Sequence, residues 1–74
     1  MKIAESMFKA LTKRYEAEIA EAEASLLIYF NNPVGIGEHP QHLEEMDKML
    51  DKYANDIDKL VIIQALIKIV PNGN

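Results

Sequence analysis

The sequence of 74 residues contains no cysteine and no tryptophan, and it has only three glycines and three prolines. Without cysteine, neither a disulfide nor a thiolate metal site can reinforce the fold, and the redox compartment cannot be inferred. A chain of this length buries only about 60% of the surface that its unfolded form exposes, so its margin of stability is narrow. Self-association is the reinforcement that remains, and we expect a homo-oligomer.

A long uninterrupted apolar run is also missing. The longest apolar stretch, from Leu60 to Val70, contains Gln64 and Lys68 and is about half the length needed to span a bilayer. The N-terminal segment has neither the unbroken apolar core nor the small-residue cleavage pattern of a signal peptide. We therefore expect a soluble, cytoplasmic protein with no membrane partner.

Basic residues are scarce where acidic residues are dense. The net charge is −4, and residues 16–47 carry eight acidic residues and no basic one. Residues 1–15 carry four basic residues and one acid, and residues 48–74 carry four lysines and three aspartates. Tight binding of duplex nucleic acid requires several Lys or Arg side chains against phosphates. The acidic segment would be repelled, so duplex nucleic acid is not an expected partner.

The first half of the chain has helical periodicity. Apolar residues recur at steps of three or four, which predicts one helix from about residue 3 to residue 31. This stripe consists of Phe8, Leu11, Tyr15, Ile19, Ala22, Leu26 and Phe30. Tyr29 lies off the stripe, at a position where it could meet a partner chain.

The second half predicts another helix after a break. Residues 32–39 contain Pro33, Gly35 and Gly37 and predict a loop, because Pro33 disfavours the helical conformation of the preceding residue. Beyond the loop, heptad spacing predicts a helix from about residue 40 to residue 70. The predicted seam of this helix consists of Leu43, Met46, Leu50, Tyr53, Ile57, Leu60, Gln64 and Ile67.

The last eleven residues of this second segment, 60–70, are apolar on nearly every side. They include β-branched residues such as Ile62 and Ile63, so a β-strand is the alternative interpretation. As a helix, this end needs cover on more than one face, which a single neighbouring helix cannot provide. We therefore predict an all-α fold, in which residues 1–74 form an antiparallel two-helix hairpin that dimerises into a four-helix bundle or a higher assembly.

Two histidines near the predicted loop raise the question of a metal site. His39 and His42, with Glu38 and Glu45, offer imidazole and carboxylate groups that zinc or iron accepts. No third and fourth ligand follows at a supporting spacing, so a solvated helix start is the favoured interpretation. We predict no catalytic residue, cofactor or metal ligand from these positions.

Four carboxylates form the order E-x-x-E and then E-x-x-D: Glu18, Glu21, Glu44 and Asp47. This order resembles part of the magnesium-binding pattern of all-α nucleoside triphosphate pyrophosphohydrolases of the MazG type. The resemblance implies a Mg²⁺ ion that contacts substrate phosphates. Ala17 stands where that family has a glutamate, and solvated faces of Glu-rich helices are the favoured interpretation. A Mg²⁺-dependent nucleotide hydrolase is therefore kept as the alternative function.

Residues 29–60 carry a second resemblance. The motif NPVGIGEHP followed by an acidic helix resembles small uncharacterised proteins encoded by tailed phages of marine cyanobacteria and found in ocean metagenomes. The resemblance implies expression in the cytoplasm of a bacterial host, and it implies no activity or catalytic residue. The leading hypothesis is a non-enzymatic, homo-oligomeric adaptor or interaction module.

Overall fold

The computed structural model describes residues 3–31 and 41–69 of the chain. Two α-helices occupy these ranges: α1 spans Ile3–Phe30 and α2 spans Gln41–Ile69. Neither range contains a strand, so the β-strand alternative for the apolar end of the chain is wrong as far as Ile69. The loop predicted for residues 32–39 lies outside the described residues.

Residues at the helix ends suit the helix dipole. Glu5 lies in the first turn of α1 and Glu44 in the first turn of α2, where the positive end of the dipole favours a carboxylate. Lys68 lies in the last turn of α2, at the negative end. The amide of Asn31 donates to the carbonyl oxygen of Leu27 at 3.0 Å, so helical hydrogen bonding continues one residue beyond α1.

The two helices pack against each other in opposite directions. Tyr29, near the end of α1, contacts His42, near the start of α2, whereas Tyr15, in the first half of α1, contacts Lys59 in the second half of α2. This order confirms the predicted all-α, antiparallel hairpin. The molecule measures 56 × 16 × 14 Å and is a rod only two helices wide.

The stripe predicted for α1 faces α2 over most of its length. Phe8, Leu11, Tyr15 and Ile19 are half-buried, and the stripe becomes fully buried at two residues further along, Ala22 and Leu26. The prediction is wrong at its end, where Phe30 is 59% exposed and Tyr29 is half-buried. The step from Leu26 to the next facing residue is three rather than four, which turns Tyr29 towards His42.

The face of α2 that packs against α1 differs from the predicted seam. It consists of His42, Met46, Met49, Tyr53, Asp56, Leu60 and Ile63, all of them buried or half-buried. This face has heptad spacing and shares three positions with the predicted seam. Leu43, Leu50 and Ile57 are exposed instead. The prediction therefore chose the wrong neighbours for Met46, Tyr53 and Leu60: it took the apolar residues on one side of them, whereas the structure buries those on the other side.

Candidate interaction surface

Apolar side chains that do not face α1 form a stripe along α2. Leu43, Leu50, Ile57 and Val61 are 58%, 45%, 37% and 60% exposed, and the exposed Ala54 lies among them. Their heptad spacing places all five residues along one side of the helix. We call these five residues the outer stripe.

Polar residues continue the spacing of the outer stripe at both ends. Asp47 occupies the position between Leu43 and Leu50, and Gln64 and Lys68 follow Val61 at steps of three and four. All three polar residues are exposed. This side of α2 is thus apolar in its centre, with an acidic residue near the start of the helix and a basic residue near its end.

Two polar contacts join the helices in the rotation of α2 that leaves the outer stripe uncovered. The Nζ atom of Lys52 lies 3.1 Å from the Oε2 atom of Glu18, and the hydroxyl of Tyr53 donates to the Oε2 atom of Glu23 at 2.9 Å. Lys52 and Tyr53 are consecutive, so their side chains leave α2 about 100° apart. They therefore reach α1 from two sides, and rotation of α2 in either direction would break one contact.

Asp56 is a charged residue within the hairpin contact. Its side chain is 1% exposed, and its Oδ2 atom lies 3.4 Å from the Nζ atom of Lys52 one turn earlier. The hydrogen bond from Lys52 to Glu18 and the contact with Asp56 raise the pKa of Lys52 above its usual value, although desolvation acts in the opposite direction. Lys52 thus serves two carboxylates, one from each helix, and these groups form a structural ion cluster.

Two aromatic residues of α1, Tyr15 and Tyr29, extend the contact between the helices. The rings of Tyr29 and His42 meet edge to face, with centroids 5.4 Å apart and planes at 64°. The Nζ atom of Lys59 lies 5.7 Å from the centre of the Tyr15 ring, within the range of a cation–π contact. These rings pack at the helix interface, and Tyr29, predicted to meet a partner chain, contacts α2 of its own chain.

A second exposed apolar area lies where the start of α1 meets the end of α2. Its exposed residues are Ile3 and Met7 on α1, and Ile62, Leu66, Ile67 and Ile69 on α2. Ile3, Ser6, Met7 and Ala10 line a shallow, mostly apolar depression there. We call this area the open-end patch. It contains the apolar surplus that the sequence predicts for the last turns of α2.

The four carboxylates of the magnesium hypothesis do not meet within one hairpin. The contacts between the helices place Glu44 level with about Leu27, which is about 13 Å along the axis from Glu18 at 1.5 Å per residue. Glu18 is bound to Lys52, whereas Glu21, Glu44 and Asp47 are exposed. A magnesium site of all four would therefore require more than one subunit.

The histidines do not form a cluster with other ligands in the part of the chain that the structure describes. His42 is half-buried beside Tyr29, and His39 lies outside the described residues. Within residues 3–31 and 41–69, no group of three or more His, Asp or Glu residues is placed to hold a metal ion. Neither helix in these ranges combines the length and the apolarity needed to cross a membrane.

Sequence reasoning missed two features of this surface. The signal for Asp56 was its heptad spacing with Met49 and Ile63, which places a carboxylate between two apolar residues on the same side of α2. The signal for the outer stripe was a second line of apolar residues beside the line of Met46, Tyr53 and Leu60.

Compared with models of protein families, with curated proteins and with solved structures, the chain matches none of them.

Proposed function

We propose that this protein is a non-enzymatic interaction module that self-associates through the apolar surface its hairpin leaves uncovered. The exposed outer stripe is the observation that carries this proposal. The chain has an accessible surface of 5650 Å², whereas a compact monomer of 8.4 kDa would have about 4600 Å². The surplus of about 1000 Å² is similar to the roughly 800 Å² that each partner buries in a stable complex.

The composition of the surface favours a protein partner over nucleic acid or lipid. Acidic residues such as Asp47, Asp51 and Asp58 lie on or beside the outer stripe. Apolar side chains bordered by charged ones are typical of protein interfaces, which have an apolar core and a polar rim. The same acids would be repelled by phosphates of nucleic acid and by anionic lipid surfaces. We place the action of this module in the cytoplasm.

A second copy of the chain is the simplest partner for this surface. Two hairpins that pack through their exposed apolar faces form a four-helix bundle, in which each helix contacts two others. The apolar residues of the outer stripe then enter a shared core, and the open-end patch remains for larger assemblies or for another protein. In this arrangement the protein acts as a small adaptor or scaffold.

Measurement of the mass in solution tests the proposal. Light scattering at micromolar concentration should give at least twice the chain mass of 8.4 kDa, together with a helical circular dichroism spectrum. A folded monomer at that concentration would contradict self-association. A panel of nucleotides with Mg²⁺ tests the alternative, because phosphate release that is lost in Glu18→Gln and in Glu44→Gln would replace this proposal with a hydrolase.

A further inference from the structure

We infer that two copies of the chain pair through the outer stripe with their α2 helices antiparallel, and this inference depends on the proposed self-association. The stripe and its polar ends fall on two heptad lines of α2. One line contains Leu43, Leu50, Ile57 and Gln64, and the other contains Asp47, Ala54, Val61 and Lys68. Two such adjacent lines are the pattern by which one helix packs along another.

In an antiparallel pair, each residue of one line faces a residue of the other line on the partner helix. One alignment brings every apolar residue at the centre against another apolar residue. Leu50 faces Val61 of the partner subunit, and Ala54 faces Ile57 of the partner subunit. Because the same contacts occur twice, the interface has the self-complementary symmetry of a two-fold dimer, with its axis between residues 55 and 56.

The same alignment matches the polar residues at the two ends. Asp47 faces Gln64 of the partner subunit, which can donate a hydrogen bond to the carboxylate. Leu43 faces Lys68 of the partner subunit, whose ammonium group then lies near Glu44 and within a turn of Asp47. The acidic residues near the start of each α2 helix therefore lie close to Lys68 near the end of the other.

A parallel pairing would give the opposite result. It would place Asp47 against Asp47 and Lys68 against Lys68 of the partner subunit, and like charges at an interface are unfavourable. Ala54, the smallest residue of the stripe, lies beside the axis, where it permits close approach of the two α2 helices. The same alignment also brings Asp51 near Asp58 of the partner subunit at the exposed edge of the interface. The complementary polar residues at the ends of the stripe and the small size of Ala54 identify a second, antiparallel copy as the occupant of this surface.

Cysteine cross-linking tests the inference directly, because the chain contains no cysteine of its own. Leu50→Cys and Val61→Cys change exposed side chains, so neither change disturbs the contact between α1 and α2. Each variant is first treated by itself with a short bismaleimide reagent. An equal mixture of the two variants, unfolded and refolded together, is then treated in the same way. We expect a covalent dimer in the mixture only, since like positions lie about 16 Å apart in the antiparallel pair.

The outcomes distinguish the inference from the proposed function. Cross-linking of each variant alone would indicate a parallel pair and overturn the antiparallel orientation. No cross-linking with a retained oligomeric mass would overturn the outer stripe as the interface and leave self-association standing. A folded monomer would overturn both.

A charge placed in the interface provides a second measurement. Ile57→Asp should raise the dissociation constant of the dimer by at least about 100-fold, because two carboxylates would be buried beside the axis. Asn55→Asp adds the same charge at the same level on an exposed face away from the stripe, and it should leave the constant unchanged. If Ile62→Asp dissociated the dimer and Ile57→Asp did not, the interface would be the open-end patch and the inference would be wrong.

Discussion

At the scale of single residues, the contact between the helices includes a carboxylate at a position where an apolar residue would be expected. Burial of a carboxylate carries a desolvation cost, which an ion pair offsets only in part. Asp56 is 1% exposed, and its cation, Lys52, is about half exposed and also contacts Glu18. We interpret this cluster as a device that favours one rotation of α2, since turning the helix would separate Lys52 from Glu18.

Substitution of the two members of this pair should change stability in opposite directions. Asp56→Leu should raise the free energy of unfolding by about 1–2 kcal/mol, because it removes a buried charge and adds buried apolar area. Lys52→Met should lower that free energy, because Asp56 would remain buried without its cation. Urea denaturation at a fixed protein concentration measures both.

Two exposed residues of the same helix serve as controls for this pair. Glu45→Leu and Lys48→Met make the corresponding chemical changes at exposed positions away from the outer stripe, and each should change the free energy of unfolding by less than about 0.5 kcal/mol. A lower stability of Asp56→Leu than of the wild type would show that the carboxylate contributes more than its desolvation costs.

At the scale of the helices, the polar contacts between α1 and α2 make the hairpin sensitive to alkaline pH. The hydrogen bond to Glu23, desolvation and the charge of Glu23 raise the pKa of Tyr53 above its usual value of 10.0. The pKa of Lys52 is raised above 10.5, chiefly by the hydrogen bond to Glu18. For both groups the folded-state pKa exceeds the unfolded value. Their stabilising effect is therefore complete below pH 10.0 and is lost as the pH rises through the folded-state values.

We expect the melting temperature to fall as the pH rises above 10.0, and to fall less steeply in Tyr53→Phe. The phenylalanine variant has no phenolic proton whose affinity differs between the folded and unfolded states. Glu23→Gln should also make the melting temperature fall less steeply with pH. Combining Tyr53→Phe with Glu23→Gln should reduce this slope little further than either substitution does by itself. Equal slopes in the wild type and in Tyr53→Phe would mean that this hydrogen bond does not form in solution.

The sequence predicts α1 better than α2 because α1 offers a single choice of face. Its apolar residues form one stripe, and that stripe faces α2 except at Phe30. In α2, the line of Met46, Tyr53 and Leu60 can combine with an apolar line on either side. Leu43, Leu50 and Ile57 form the more hydrophobic of these two lines. Hydrophobic periodicity therefore predicts that this line contacts α1.

The structure combines the central line of α2 with the other one, which contains His42, Met49, Asp56 and Ile63. Hydrophobic periodicity reports which residues tend to be buried, but it does not report which neighbour covers them. In this chain the more polar line meets α1 of the same subunit. The candidate interaction surface could therefore be found in the sequence only as an apolar surplus, and its location required knowledge of how α2 is rotated.

At the scale of the whole molecule, a rod two helices wide has little interior. Among the described residues, only Ala22, Leu26, Met46 and Ile63 form the buried apolar core. Buried apolar area is the main favourable contribution to folding, and it must exceed the conformational entropy lost by every ordered residue. A core this small suits a chain that folds as it assembles, in which the outer stripe contributes to the stability of the hairpin.

Coupling between folding and assembly makes the melting temperature depend on protein concentration. For a dimer that unfolds to two separate chains, a 100-fold dilution lowers the stability by about 2.7 kcal/mol per dimer. For an assembly of two such chains, this corresponds to a fall in melting temperature of roughly 5–10 °C. The dimer cross-linked between Leu50→Cys and Val61→Cys is the matched control, since its two chains cannot separate and its melting temperature should not change on dilution. If the unlinked protein also melted at the same temperature at both concentrations, the hairpin would be stable on its own, and the outer stripe would contribute nothing to its folding.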